Sequence, residues 1–358
     1  MKILHLPTVT GGHAISLSRA ERELGLFSDT LYFDRTFINY PSADIALRKS
    51  KHRFLYFLKC VETAFKYPKN YDILHFNFGS TLIDFPSYGI HHWDLPLYKK
   101  QKLFVTYNGS DARLSFDAMC PGASMHPDYA NISDTLYPNH KQEFVIKKRI
   151  KQFEDAGAFF FARTPDLLLA LPGGAMFLPQ IIYDLNAIES KKYLPSANKL
   201  KVFHAPTSYV KKGTHTLVKA VESLLRKYPD KIELQLVTGA DIQTARTLYK
   251  EADVVVDQLR IGWYGGLAVE VMKMGVPVIV HINHNYLNAL PAQMGKDCLD
   301  SVIEADSYNI ENVLEFCIQD RAMLQRKALA GSEYVNMWHN PTVIATRVKQ
   351  AYEQASSR

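Results

Sequence analysis

The sequence has 358 residues, a length typical of two domains rather than one. Hydrophobic residues make up 47% of it and charged residues 22%, and these proportions exclude a disordered, collagen-like or disulfide-built chain. The formal net charge is +6, from 42 lysines and arginines and 36 acidic residues.

The charge excess lies in one segment, from Arg48 to Lys69, which holds seven basic residues and one acidic residue, Glu62. Nucleic-acid-binding proteins usually spread positive charge along a groove, so no nucleic-acid partner is expected. Aromatic and aliphatic residues alternate with the basic ones, which is typical of an amphipathic helix lying on an anionic membrane surface. The alternative is an ordinary helix of the first domain, with its apolar face in the core and its basic face in solvent.

The cysteines and the N-terminus indicate the compartment. Cys60, Cys120, Cys298 and Cys317 lie far apart and have no zinc-ligand spacing, so free thiols in a reducing compartment are expected. The chain begins with a strand pattern rather than a signal peptide, and no apolar run approaches the roughly 18 residues of a membrane span. We therefore expect a cytoplasmic protein that is either soluble or attached peripherally to the inner face of the cell membrane.

Short apolar runs alternate with longer helical patterns along the chain, which predicts parallel sheets. The predicted strands cover 2–6, 30–33, 73–77, 103–107 and 158–162, and then 201–204, 233–237, 254–258 and 276–281. A stretch with three prolines and two glycines, 171–198, separates the two sets and predicts a linker. The predicted fold is α/β, with two Rossmann-like domains facing across a cleft. The first covers 1–185, with a terminal helix at 341–358 packing back on it, and the second covers 186–340.

Polar residues directly after three first-domain strands predict a site at the carboxyl edge of that sheet. Gly11 and Gly12 follow the first strand, and such glycines let the backbone approach a phosphate at a helix N-terminus. His75 and Asn77 end the third strand, and the segment from Asn108 to Arg113 follows the fourth, where polar groups suit sugar hydroxyls. A plain tight turn and Asx-type turn capping are the competing interpretations.

In the second domain, Lys212 comes just before a predicted helix, where it can neutralise a pyrophosphate. The most informative segment runs from Asp257 to Val278, with glycines before a helix that carries Glu270 among apolar neighbours. A buried carboxylate needs a partner, and ribose hydroxyls are the predicted one.

Nearly the whole chain resembles the family-4 glycosyltransferases of the GT-B fold, which are retaining enzymes that use nucleotide-sugar donors. The resemblance depends on the Gly11 turn, on segments 109–111 and 165–168, on the Lys212 turn, and most specifically on segments 257–278 and 334–341. It implies that Glu270 holds the donor ribose and that Lys212 binds the donor diphosphate. Gly11 and Gly12 match the loop that approaches the diphosphate from the first domain.

Three positions depart from the family pattern. Gly262 replaces the first glutamate of the paired-glutamate motif, Tyr209 stands where an arginine is expected, and Asn108 stands where a histidine is often found. A retaining reaction tolerates these changes if the departing phosphate itself takes the acceptor proton, because the protein then mainly orients substrates and stabilises charge. No acidic cluster demands a metal, and no cofactor is expected besides the nucleoside diphosphate sugar, which is a co-substrate.

The expected function is transfer of a hexosyl group from a UDP- or GDP-sugar to a saccharide or lipid-linked glycan in bacterial surface polysaccharide synthesis. The alternatives are a degenerate relative that binds nucleotide or glycan as a scaffold, and a sugar-nucleotide epimerase. The predicted catalytic residues are Lys212, Glu270, Asn108 and Asp111. The predicted donor-binding residues are Gly11, Gly12, Ser208, Lys212, Gly213, Gly262, Trp263, Tyr264, Gly265, Gly266, Leu267 and Glu270, and the predicted acceptor-binding residues are His13, His75, Asn77 and Arg113.

Overall fold

Two parallel sheets, one of seven strands and one of five, organise the computed structural model of the chain. The structure describes residues 1–33, 41–48, 50–119, 138–182, 184–190, 193–194, 196 and 198–356. The predicted α/β class with two Rossmann-like domains is confirmed. Three residues of the segments discussed above lie outside the described residues. They are Lys49 of the basic segment, the cysteine Cys120, and Pro195 of the predicted linker.

The first sheet has the strand order β3-β2-β1-β4-β5-β6-β7. Its strands are β1 Lys2–Leu6, β2 Phe27–Phe33, β3 Ile45–Leu47, β4 Ile73–Asn77, β5 Lys102–Tyr107, β6 Phe159–Ala162 and β7 Met176–Phe177. The second sheet has the order β12-β11-β10-β8-β9. Its strands are β8 Leu200–His204, β9 Ile232–Leu236, β10 Val254–Gln258, β11 Val278–Val280 and β12 Ile303–Glu304.

The helices flank these sheets. Those of the first unit are α1 His13–Glu23, α2 Arg53–Lys66, α3 Phe116–Met119, α4 His140–Asp155 and the terminal α12 Pro341–Ser356. Those of the second unit are α5 Tyr209–Lys212, α6 Thr214–Lys227, α7 Ile242–Lys250, α8 Gly266–Lys273, α9 Ala292–Ser301, α10 Ile310–Gln319 and α11 Arg321–Trp338. None of the described helices is long and apolar enough to cross a membrane.

The chain divides into two compact units. The first is built from the described residues up to 119, from 138–182 and from α12, and the second begins at Asp184 and ends at Asn340. Helix α12 lies against α1 and β5. Ile344 and Val348 of α12 are fully buried with Leu17 of α1, because this face of the sheet is apolar.

Each sheet reverses its strand order at one point, between β1 and β4 in the first and between β8 and β10 in the second. Ligands of open parallel sheets bind outside the carboxyl ends of the strands at such a point. The loops that follow these four strands are therefore where a site is expected. Cys60, Cys298 and Cys317 are buried free thiols, and free thiols were predicted.

Candidate functional site

Asn77 connects the loops at the switch point of the first sheet. It ends β4, is buried, and its amide nitrogen donates to the main-chain oxygens of Thr8 at 3.1 Å and Thr10 at 3.3 Å. Its amide oxygen accepts a hydrogen bond from Asn108 Nδ2 at 3.1 Å. Asn77 therefore holds the loop after β1 against the loop after β5. Both polar atoms of its side chain, which the sequence assigned to the acceptor, take part in these hydrogen bonds.

The glycine loop itself depends on close packing. Gly11 and Gly12 have φ of 69° and 67°, in the left-handed region that favours glycine. A Cβ on Gly11 would lie 2.6 Å from Nη1 of Arg163, so a side chain there would require the guanidinium to move. Arg163 also donates to Oδ1 of Asn108 at 3.4 Å and to the side chain of Gln180. A buried guanidinium thus lies directly beneath the loop that the sequence predicts to approach a diphosphate.

His13 begins α1 directly after this loop. Its side chain is 1% exposed, and neither ring nitrogen has a hydrogen-bond partner among the described residues. Burial and the nearby Arg163 charge hold the pKa of His13 well below its ordinary value. A neutral imidazole therefore lies at the start of α1.

Two predicted acceptor contacts in this unit need correction. His75 is buried, and its Nδ1 and Nε2 are bonded to Tyr352 Oη at 2.6 Å and Thr106 Oγ1 at 2.7 Å. Arg113 is also buried, and its Nε donates to Oδ2 of Asp166 at 2.8 Å. Neither side chain presents an exposed polar surface to an acceptor, because each completes an interior network.

Asp111 forms the Asx-type turn that was the competing interpretation of its segment. Its Oδ1 accepts hydrogen bonds from the main-chain N–H groups of Gly109 at 2.7 Å and Asn108 at 3.0 Å. Burial raises the pKa of the Asp111 carboxyl to about 6, although these hydrogen bonds oppose the shift. The carboxylate thus fixes the Asn108 backbone at the end of β5.

The switch point of the second sheet brings Lys212 to Asp257. Lys212 ends the short helix α5, and its Nζ lies 2.5 Å from Oδ1 of Asp257, which is fully buried near the end of β10. The other carboxylate oxygen accepts from the N–H of Gly265 at 2.6 Å, directly before α8. The ammonium therefore lies beside the first turn of α8, where anions are favoured.

The flanking residues of this turn are structural. Ser208 caps α5 by accepting from the N–H of Lys211 at 3.3 Å. Gly213 has φ of 75°, and a Cβ there would lie 3.0 Å from Cβ of Leu259. Tyr209, at the expected arginine position, is 53% exposed. A different cation, Arg260, donates to the main-chain oxygen of Val210 at 2.8 Å and so lies next to α5.

Gly262 occupies a position with no room for a side chain. A Cβ there would lie 2.4 Å from Cβ of Asn283, and its main-chain oxygen accepts from the N–H of Asn283 at 2.9 Å. The side chains of Asn283 and Tyr286 thus fill the space that a side chain at position 262 would occupy. Gly265, Gly266 and Leu267 continue from this segment into the first turn of α8.

The side chains of Trp263 and Tyr264, two of the predicted donor-binding residues, lie in the interior of the second unit. They are 0% and 1% exposed. Tyr264 Oη bonds to Tyr334 Oη at 2.6 Å and to His339 Nε2 at 3.0 Å. This network joins two separated sequence segments, 257–278 and 334–341, inside the second unit.

Glu270 has a protein partner that the sequence argument missed. Nε of Arg246, on α7, donates to its Oε2 at 3.0 Å, and both side chains are largely buried. Burial raises the pKa of Glu270, while Arg246 opposes the increase. Ribose hydroxyls are therefore not required to explain a buried carboxylate at this position, and the expectation based on burial alone is corrected.

Sequence reasoning also missed Arg163, and it named Asp257 without assigning it a role, although a signal for each was present. Arg163 is a polar residue directly after a buried strand, and Asp257 is a carboxylate inside the apolar run of β10. The described residues contain no group of three or more histidine, cysteine, aspartate or glutamate side chains that could hold a metal ion.

No protein-family model and no curated protein matches the chain. Solved structures are similar to it over its full length. The sucrose-phosphate synthase of Thermosynechococcus elongatus is 17% identical with a TM-score of 0.66, over 100% of both chains. An alpha-glucosyltransferase in complex with UDP and DNA is 11% identical with a TM-score of 0.58, over 99% of both chains. The UDP-GlcNAc 2-epimerase of Neisseria meningitidis bound to UDP-GlcNAc is 12% identical with a TM-score of 0.53, over 99% of this chain and 100% of that one.

These likenesses, together with the two parallel sheets, establish that the chain has the GT-B fold.

Proposed function

We propose that this chain is a retaining glycosyltransferase that moves a hexosyl group from a UDP- or GDP-sugar to a saccharide or lipid-linked glycan. Its role would be in bacterial surface polysaccharide synthesis. One observation carries the proposal: the Lys212 ammonium lies beside the N-terminus of α8 at the switch point of the second sheet. The alpha-glucosyltransferase and the epimerase that share the fold are described with UDP and UDP-GlcNAc bound, which supports the same class of ligand here.

The donor diphosphate is assigned to Lys212 and to the main-chain N–H groups that begin α8. The residue before this helix is Gly265, which has no side chain to cap it, so we assign the N–H groups of Gly266, Leu267 and Ala268 to phosphate oxygens. The ammonium adds a charge-assisted hydrogen bond. These groups stabilise the charge that develops on the leaving diphosphate, which is the main electrostatic demand of the reaction.

Glu270 is assigned to the ribose hydroxyls, as the family resemblance implies. Its carboxylate is held by Arg246 at 3.0 Å, which fixes its direction within the second unit. A preoriented acceptor binds a hydroxyl with a smaller loss of side-chain freedom. Arg246 therefore takes the part of a positioning residue in this proposal.

The proposed transfer needs no protein base. The acceptor oxygen attacks the anomeric carbon on the face from which the diphosphate leaves, and the acceptor proton passes to an oxygen of that phosphate. Asn108 has no proton-accepting group of suitable basicity, and Asp111 is engaged with two main-chain N–H groups. Orientation of both substrates then supplies most of the acceleration.

Calorimetry with UDP and GDP, followed by a screen of common UDP- and GDP-sugars, tests the proposal. We expect micromolar binding of one nucleotide, turnover of its sugar, and no loss of activity after treatment with EDTA. Glu270→Ala should lower turnover at least tenfold in a protein that remains folded. A folded wild-type protein that neither binds nor turns over any of these donors would contradict the proposal.

Two other outcomes identify the alternatives. A protein that binds nucleotide without turnover would indicate a scaffold. Glu270→Ala should then leave binding to its protein partner unchanged. A changed sugar nucleotide in the absence of acceptor would indicate an epimerase, the activity named for one of the solved structures with this fold.

Attachment to an anionic membrane surface is the second part of the proposal, and it depends on α2. The buried side of α2 holds Cys60, Thr63 and Ala64. A second apolar strip faces solvent, with Phe54 68%, Leu58 46% and Phe65 58% exposed. Basic residues flank it, and a helix of this kind binds a bilayer through apolar insertion and attraction to anionic lipids.

A further inference from the structure

Asp257 is the one group that contacts both parts of the proposed phosphate site among the described residues. It lies in β10, is 0% exposed, and uses both carboxylate oxygens. Oδ1 accepts from Nζ of Lys212 at 2.5 Å, and Oδ2 accepts from the N–H of Gly265 at 2.6 Å. Since a buried charge is costly unless it is paired, both contacts are needed to keep this carboxylate in an apolar strand.

The backbone around Asp257 restricts where the ammonium can lie. The main-chain oxygen of Lys212 accepts from the N–H of Leu259 at 3.2 Å, two residues beyond Asp257. A Cβ on Gly265 would lie 3.6 Å from Nζ of Lys212 and 3.4 Å from Oδ2 of Asp257. The Lys212 side chain is therefore fixed at its main-chain end by Leu259 and at its ammonium end by Asp257. The ammonium lies against Gly265, the residue that precedes α8.

We propose that Asp257 is a positioning residue, whose carboxylate aims the Lys212 ammonium at the leaving diphosphate and fixes the entrance to α8. This inference rests on the proposed function. A lysine ammonium has three N–H donors, and Asp257 takes one of them, so two remain for phosphate oxygens. Electrostatic stabilisation of a transition state is most effective when the charge is already oriented before the reaction.

The two effects of Asp257 on the donor have opposite signs. Its negative charge lies near the bound diphosphate and weakens ground-state binding, whereas the orientation that it gives Lys212 stabilises the charge formed as the diphosphate leaves. Removing the charge relieves this repulsion but also releases Lys212 from its oriented position, so nucleotide affinity should change little, whereas turnover should fall. A residue needed only for packing would not separate these two quantities.

Asp257→Asn tests this expectation, because asparagine keeps an oxygen for the N–H of Gly265 and loses the ion pair. We expect the Kd for UDP or GDP, whichever the wild type binds, to stay within threefold and kcat to fall at least tenfold. Lys212→Met should lower kcat as well, and adding Asp257→Asn to it should change kcat by less than twofold, because the positioning residue then has nothing to position.

Asp253→Asn is the matched control. Asp253 is a buried carboxylate just before the other end of β10, where its oxygens accept from the N–H groups of Ser196 at 2.7 Å and Lys201 at 2.8 Å. It bonds main-chain donors as Asp257 does and lies away from Lys212. Its substitution should lower thermal stability and leave kcat within twofold.

Additive losses in the double variant, or an unchanged kcat in Asp257→Asn, would overturn the role of Asp257 while the proposed function stands. A wild-type protein that binds neither nucleotide overturns both. If the asparagine variant does not fold, Asp257→Ser carries the same expectation, since serine also removes the charge and is smaller.

Discussion

Asp111 is the residue whose titration gives the clearest expectation. In the folded chain its pKa is raised to about 6, whereas an exposed aspartate has a value of 3.8. Between these values the folded state binds more protons than the unfolded state, so this group makes the free energy of unfolding fall as pH rises from about 4 to about 6. The stability difference between wild type and Asp111→Asn should therefore shrink by at most about 3 kcal/mol across that window. Guanidinium denaturation at a series of pH values measures it.

Asp241 provides the control with the opposite sign. It caps α7 by accepting from the N–H groups of Gln243 and Thr244, and these hydrogen bonds lower its pKa. The stability that Asp241 contributes is present above the ordinary aspartate pKa and is lost as pH falls through its lowered value. Equal pH dependence in Asp111→Asn and Asp241→Asn would refute the assignment for Asp111.

At the scale of single residues, the sequence predicts where functional side chains lie better than it predicts which residues bond to them. Lys212 could be found because a cation before a helix has a plain physical use, and the Asn108 turn because polar residues follow a buried strand. The partners of functional side chains could not be found, since Asp257 is 45 residues from Lys212 and Arg246 is 24 residues from Glu270. Only the folded sheet brings such pairs together.

At the scale of elements, α12 is attached to the first sheet by a buried polar network. Tyr352 is 0% exposed, and its Oη bonds to Oε1 of Glu21 at 3.0 Å and to Nδ1 of His75 at 2.6 Å. Tyr352→Phe leaves both partners short of a hydrogen bond, which should cost about 1–3 kcal/mol in the unfolding of the first unit. Chemical denaturation measures this loss. The exposed Tyr308 supplies a control, whose change to phenylalanine should cost less than about 0.5 kcal/mol.

A cost for Tyr352→Phe no larger than that for Tyr308→Phe would mean that apolar packing alone holds α12.

The sequence predicted this helix and the longer strands, because five-residue apolar runs such as 73–77 and 254–258 are distinctive. It missed β3, β7 and β12, which have three, two and two residues. Strands this short are defined by pairing with a neighbour rather than by their own pattern.

For the whole molecule, the charge balance could be computed from the sequence, but the surface that carries it could not. Alternation of basic and apolar residues over 48–69 is equally typical of a core helix and of a membrane-bound one. The structure shows that α2 has apolar residues on two sides, one facing the core through Cys60 and Ala64 and one exposed through Phe54 and Phe65. This arrangement exceeds what a core helix requires and favours a second partner for the exposed strip.

Replacing Arg48, Lys49, Lys51 and Arg53 with glutamine should therefore weaken binding to vesicles of phosphatidylglycerol and phosphatidylcholine. Each basic residue near an anionic surface contributes about 1 kcal/mol, so the four together should lower the vesicle partition coefficient by roughly two to three orders of magnitude at low salt. Nucleotide affinity should not change, because these residues belong to the first unit and the proposed phosphate site to the second.

The charge-matched control replaces four exposed lysines on or near α4, which are Lys141, Lys147, Lys148 and Lys151. Both variants lose the same net charge, so a purely global attraction would weaken vesicle binding equally in the two proteins. We expect cosedimentation with the vesicles to be lost only in the variant that lacks the basic side chains of 48–53. Phe54→Ser with Phe65→Ser should reduce cosedimentation at unchanged charge. Equal losses in the two charge variants would assign the binding to net charge, and absence of wild-type binding would contradict the proposed membrane attachment.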